Sequence, residues 1–326
     1  DNFRDPKVFK DNNKYYCLIG AERKENLGTI VYYESDNLKD WTFKGEIKTS
    51  FFGNGFMWEC PDYLKFDDKG VLIFSPQGLK AEGDKYKNIF QSGYLIGENI
   101  DFSNGKFKHG EFTELDRGFD FYAPQTMTDD KNRRILIGWM GLPEIDYPSD
   151  KNQWAHCLTL PRELQLVNGR LIQKPVKELE QLRGEKLEFS YELNNEEKAI
   201  EGFNEKSYEL ICNFNNFNGK YIGLKLRKSI NEETVFYYDI ENKKLVLDRS
   251  KSKEKFALEY GTQRKCKYDK GELKLQIFVD ISSIEVFVND GEEVFTSRIF
   301  TGDESNELSI FADGSAKAEM KVWKIK

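Results

Sequence analysis

The feature that most constrains this chain is its almost complete lack of helical periodicity. Short apolar runs recur instead, bounded by Gly, Asn, Asp and Lys. In the first half they cover residues 14–21, 29–35, 71–76, 94–97 and 135–140. Strands of this length at near-regular spacing point to an all-β sandwich, barrel or propeller. Aromatic residues make up 14% of the chain, which suits pleated, half-buried surfaces and also the flat faces of sugars. Two aromatic-rich stretches, residues 51–62 and 118–126, read as long loops of functional kind.

The one helical candidate spans residues 175–183. Pro175 is a suitable starter, Gly184 a suitable stop, and Val176, Leu179 and Leu182 share a face. It is read as a linker over residues 176–184, dividing a first domain (1–175) from a second (185–326). At 326 residues, two domains are expected, each able to bury a core. The second domain is again rich in strands, at residues 207–214, 221–227, 235–240, 244–247, 273–279, 283–288, 294–300, 308–312 and 321–325. Ile284, Val286 and Val288 alternate with Glu285 and Phe287, and Asn289-Asp290-Gly291 supplies hairpin chemistry. So many short strands in about 140 residues fit one sandwich.

Charge excludes several function classes. The net charge is −7, from 56 acidic and 49 basic residues of interspersed sign. There is no basic stripe for nucleic acid and no apolar run long enough to span a bilayer. Cys17, Cys60, Cys157, Cys212 and Cys266 are scattered, without CxxC spacing. A disulfide framework or zinc site is therefore not expected, and reduced thiols point to the cytoplasm. With only two histidines, no metal site and no cofactor is expected.

Two segments concentrate chemistry. In Arg4-Asp5-Pro6 an arginine could orient the neighbouring carboxylate and keep it ionised. The plain alternative is a turn at a strand start with a surface ion pair. In Trp58-Glu59-Cys60-Pro61-Asp62 a carboxylic acid sits between an indole and a thiol. Apolar burial raises a carboxyl pKa, as a glycosidase acid requires; the alternative is a buried Glu satisfied by backbone amides. Asp120 and Tyr122, in an aromatic stretch, and Trp139, at the end of an apolar run, look like sugar-handling groups, with core packing as the alternative. Cys60 has no histidine near it in sequence, which argues against a thiol nucleophile.

Together these segments resemble glycoside hydrolase family 32, which contains invertases, sucrose-6-phosphate hydrolases and fructanases. RDP at 4–6 and ECPD at 59–62 match two of its three catalytic motifs. LTLPREL at 158–164, IEVFVNDGE at 284–292 and KVWKI at 321–325 extend the likeness over nearly the whole chain. The resemblance implies a five-bladed β-propeller, partial here, followed by a β-sandwich. It implies a retaining β-fructofuranosidase acting on sucrose or sucrose 6-phosphate. Glu59 would then be the general acid/base, Asp5 the transition-state stabiliser and Arg4 its support. Trp58, Cys60, Asp120, Tyr122 and Trp139 would lie around the sugar. The family's first motif, of Asn-Asp-Pro-Asn-Gly type, carries the nucleophile and has no counterpart here. The resemblance thus implies one to two further blades upstream, and the chain alone is expected to be inactive. A fructoside-binding lectin and a fructosyltransferase are the alternative functions.

Overall fold

The computed structural model describes residues 2–326. Three antiparallel blades come first, two of four strands and one of five. One holds β1 (Phe3–Asp11), β2 (Lys14–Arg23), β3 (Leu27–Ser35) and β4 (Thr42–Glu46), paired in chain order. The second holds β5 (Met57–Phe66), β6 (Lys69–Gln77), β7 (Gly93–Glu98) and β8 (Thr113–Glu114). In the third, β9 (Tyr122–Thr128) pairs with β10 (Arg134–Met140). The other edge of β10 pairs first with β11 (Cys157–Leu158) and then with β12 (Arg162–Val167), beside which lies β13 (Arg170–Pro175).

The innermost strands β1, β5 and β9 face one another without pairing, since each belongs to its own sheet. Apolar side chains fill the space between blades. Trp58 lies between Phe74 and Phe51, with ring centroids 4.7 Å and 5.6 Å away. A Cβ on Gly28 of the neighbouring blade would come within 2.3 Å of the Trp58 ring, so only glycine permits this approach.

The segments expected to be long loops are partly strand. Residues 57–62 belong to β5 and residues 122–126 to β9. Their alternation is broken by prolines and by bulges, and this concealed them. The helix expected over residues 175–183 is a single 3₁₀ segment, Lys177–Leu182. Pro175 ends β13, and Gly184 lies inside the next strand rather than stopping a helix.

The second domain comprises β14 (Arg183–Ala199), β15 (Tyr208–Lys228), β16 (Glu233–Asp239), β17 (Lys244–Lys251), β18 (Gln263–Lys267), β19 (Leu273–Val279), β20 (Ser283–Val288), β21 (Glu293–Arg298) and β22 (Glu307–Ile325). Three long strands bend and serve both layers. The first half of β15 pairs with β19 and with the end of β22, whereas its second half pairs with β16 and the start of β22. The bend falls where register shifts at Asn215–Asn218 and Gly219–Tyr221. There Gly219 and Gly314, at φ 99° and 126°, approach too closely for any Cβ. This is why the sequence shows β15 and β22 as two runs each: the polar, glycine-containing middle is a corner, not a loop. The inward faces of both layers form one buried cluster including Leu210, Phe214, Leu224, Phe236, Leu275 and Phe295.

The two domains meet along β21. Arg117 and Phe119 donate their backbone N–H groups to the carbonyls of Val294 and Thr296, at 2.7 and 2.8 Å. Behind this, the fully buried Arg162 pairs with Asp116 at 3.1 Å and with Glu285 at 2.7 Å. Both carboxylates would be left uncompensated in a low-dielectric interior without it, a loss typically of about 3–5 kcal/mol. The sandwich is therefore bonded to the segment that leads directly into β9.

Candidate active site

The three inner strands carry the same irregularity. Between Arg4 and Lys7 of β1, three residue steps oppose two on β2, Gly20 to Leu18. The same count recurs from Glu59 to Asp62 against Ser75 to Ile73, and from Tyr122 to Gln125 against Trp139 to Ile137. Each is a bulge of one extra residue, which re-aims the side chains beside it. The extra residue in each case has left-handed φ: Asp5 at 63°, Cys60 at 49° and Ala123 at 47°. Each is followed by a proline, Pro6, Pro61 or Pro124, which has no N–H to continue the ladder. Non-glycine residues in this region are uncommon and cluster where geometry is imposed for function.

The residue before each bulge points to one place. The Glu59 carboxylate accepts from Arg4 Nε at 2.6 Å through Oε1. Its Oε2 accepts from the Tyr122 hydroxyl at 2.5 Å and from Gln77 Nε2 at 2.9 Å. The Glu59 side chain keeps 14% of its surface open, so the carboxyl is held firmly yet can be reached. Burial, followed by the charge and hydrogen bond of Glu59, pushes the Tyr122 phenol up, which keeps it a donor. Beside this group, Asp5 Oδ2 accepts from the Cys60 backbone N–H at 3.1 Å and faces the Cys60 thiol at 3.6 Å. Among the described residues, Asp5 Oδ1 has no donor and remains available. The Cys60 thiol is pushed up to about 12 by burial first and then by the charges of Asp5 and Glu59. Only a thiolate attacks carbon, so the thiol stays protonated and is a poor nucleophile.

Arg4, Asp5, Glu59, Cys60 and Tyr122 are thus brought together, with Trp139 at the margin. The Trp139 ring lies 6.4 Å from that of Tyr122 and stacks on His156 at 4.6 Å. Four expectations change. Arg4 reaches across to Glu59 of the next blade instead of pairing with its sequence neighbour Asp5. Trp58 does not border the site: strand alternation sends it to the opposite face from Glu59, where it is 1% exposed in the inter-blade core. Asp120, 2% exposed, is turned to the sandwich. It accepts from Tyr147 Oη at 2.7 Å, Arg249 Nη1 at 2.9 Å and the Arg298 backbone N–H at 2.8 Å. Its carboxylate is fully taken up there because residues 117–120 run along β21. Glu59 is likewise enclosed by polar donors rather than by the indole and thiol beside it in sequence.

Gln77 gave no sequence signal. It reaches Glu59 because Met57 pairs with Gln77 across β5 and β6. The Xaa-Pro pairs at the bulges are three among eight prolines in the sequence, so they do not single out the inner strands by themselves.

Comparison with known proteins agrees with this architecture. Residues 1–175 match the Glycosyl hydrolases family 32 N-terminal domain and residues 178–324 the Glycosyl hydrolases family 32 C-terminal domain. A sucrose-6-phosphate hydrolase of Staphylococcus xylosus is 44% identical over 308 residues, covering 94% of this chain and 62% of that protein. One of Bacillus subtilis is 37% identical, covering 99% of this chain and 66% of that protein. The solved structure of a sucrose-6-phosphate hydrolase from Lactobacillus gasseri superposes with a TM-score of 0.90 at 34% identity, covering 99% of this chain and 66% of that one. The chain thus spans a little under two thirds of the length of these relatives. With both family domains matched along its length, the chain belongs to glycosyl hydrolase family 32.

Proposed function

We propose that this chain carries the acid/base half of the active site of a β-fructofuranosidase that hydrolyses sucrose or sucrose 6-phosphate. The observation that carries the reading is the Glu59 carboxyl, partly open and fixed by Arg4, Gln77 and Tyr122, with the Asp5 carboxylate on the adjacent blade. Glu59 donates a proton to the oxygen leaving the fructosyl carbon and later activates water. Asp5 holds fructosyl hydroxyls and faces the positive charge that develops as the bond opens. Trp139 and Tyr122 border the sugar. A retaining enzyme of this kind sets a second carboxyl about 5–5.5 Å from the first. The family's nucleophile motif has no counterpart in residues 1–326, so turnover belongs to tests on the full-length gene product.

The relatives named sucrose-6-phosphate hydrolase support the substrate class. So does the Bombyx mori family 32 β-fructofuranosidase, 31% identical at a TM-score of 0.83, whose mutant was solved in complex with sucrose. Five free cysteines fit a cytoplasmic setting, where a phosphorylated disaccharide would be met. Assay of the full-length protein on sucrose, sucrose 6-phosphate and inulin tests this directly. Equimolar release of fructose with glucose or glucose 6-phosphate is the expected result, with the disaccharides far ahead of inulin. Binding of fructosides without any release would instead make it a lectin, and oligofructoside products would make it a transferase.

A further inference from the structure

β1, β5 and β9 lie in three separate sheets, so no backbone ladder fixes one against another. Yet the groups that converge on Glu59 come from all three. What sets their spacing must be side chains. The residues preceding the bulges supply one set of links, from Arg4 and Tyr122 to Glu59. The residues following the three prolines, Lys7, Asp62 and Gln125, supply a second.

Lys7 Nζ lies 3.0 Å from Asp62 Oδ2 on β5. On β9 it donates to the carbonyl of Thr126 at 2.6 Å and to Gln125 Oε1 at 3.3 Å. The Asp62 side chain, 1% exposed, also accepts from the Thr126 N–H at 2.9 Å and its hydroxyl at 2.7 Å. One ammonium thereby ties together all three inner strands, two residues beyond the strained position of each. Left-handed non-glycine conformations persist only where the surroundings over-determine them, and this knot is a polar part of those surroundings, three residues along from Arg4, Glu59 and Tyr122 on their strands. A lysine suits the task because its three donors can be shared among three acceptors on the two other strands.

We propose that Lys7 is a positioning residue, which through Asp62 and Thr126 holds the three bulges in the mutual register that presents Arg4, Asp5, Glu59 and Tyr122 to the substrate. The inference rests on the fructosidase reading and deepens it. Lys7 touches no reacting atom. Its effect should therefore appear in the rate of the chemical step, where a misplacement of 1 Å can cost about 100-fold, and less in ground-state binding.

The test uses the full-length protein with Lys7→Met, Lys7→Arg, Asp62→Asn and the Lys7→Met/Asp62→Asn pair. For each, kcat, KM, the pH profile of kcat/KM and the thermal midpoint are measured on sucrose. Lys7→Met is expected to lower kcat by at least about tenfold, with KM within about threefold, and to alter the pH profile. Lys7→Arg, still cationic, should recover part of the rate. Asp62→Asn alone leaves the ammonium without its anion and can fold poorly; the paired variant leaves no lone buried charge, so it should fold and remain slow. A lowered thermal midpoint with wild-type kcat and pH profile in Lys7→Met, or wild-type kcat in the paired variant, overturns the inference. If the unmodified protein hydrolyses no fructoside, the functional reading falls and this inference with it. If it does hydrolyse them and Lys7→Met does so equally fast, this inference alone falls.

Discussion

Glu59→Gln in the full-length protein is expected to slow sucrose hydrolysis by about 10²- to 10⁴-fold, the usual worth of general acid assistance. The first step on an activated aryl fructoside should suffer far less. Glucose and its 6-phosphate are poor leaving groups that need a proton as the bond breaks, whereas a nitrophenolate needs almost none. The structure sharpens this expectation. Arg4 donates to one carboxylate oxygen, and Tyr122 and Gln77 donate to the other. The amide nitrogen of a glutamine must therefore face a donor whichever way it turns. Rapid-mixing measurement of nitrophenol release separates the first step from the second, in which the same residue is proposed to activate water. Equal losses on both substrates would mean that Glu59 serves only to hold the site together.

Asp5→Asn is expected to lower kcat by about 10²- to 10³-fold, as removal of a stabilising group facing transition-state charge does. Affinity for fructose should change by less than about threefold, because only interactions stronger in the transition state than in the ground state accelerate chemistry. The backbone should tolerate the change, since asparagine is among the residues that accept left-handed φ and its amide oxygen can still accept from Cys60. What disappears is the negative charge beside a developing oxocarbenium ion. Single-turnover rate and equilibrium fructose binding on the same sample decide the matter. Lost binding with an unchanged rate per bound substrate would make Asp5 a ligand-holding residue.

The strands most legible in the sequence were those with clean alternation and no interruption, such as β19 and β20, which span the residues expected. β15 and β22 were legible only as halves, because the corner residues between them resemble a loop in composition while remaining in a continuous strand. β1, β5 and β9 were obscured for a related reason. A bulge shifts the two-residue period by one, so a strand that bends at its functional end loses the pattern that would identify it. That also explains the misplaced side chains. Read as a loop, Trp58-Glu59-Cys60 suggested an acid pressed between its neighbours. Read as a strand, it puts Trp58 and Glu59 on opposite faces. Asp120 was misread because aromatic company suits a sugar site and a domain interface equally. Phe119, beneath the guanidinium groups of Arg249 and Arg264, belongs to the second. The partners of Glu59 stand on other strands, Gln77 on neighbouring β6 and Arg4 and Tyr122 on other blades, so their contacts with it could be seen only once the sheets were assembled.

The central claim is that the full-length protein breaks the bond between the fructosyl carbon and the bridging oxygen, with Glu59 protonating that oxygen. Hydrolysis of sucrose in H₂¹⁸O, with mass analysis of the glucose released, tests it most directly. If the fructosyl bond breaks, the bridging oxygen leaves with glucose, and freshly formed glucose carries no label beyond its slow exchange with water. Stoichiometric ¹⁸O at C1 of glucose would show that the glucosyl bond is the one cleaved, and would contradict the assignment of the site.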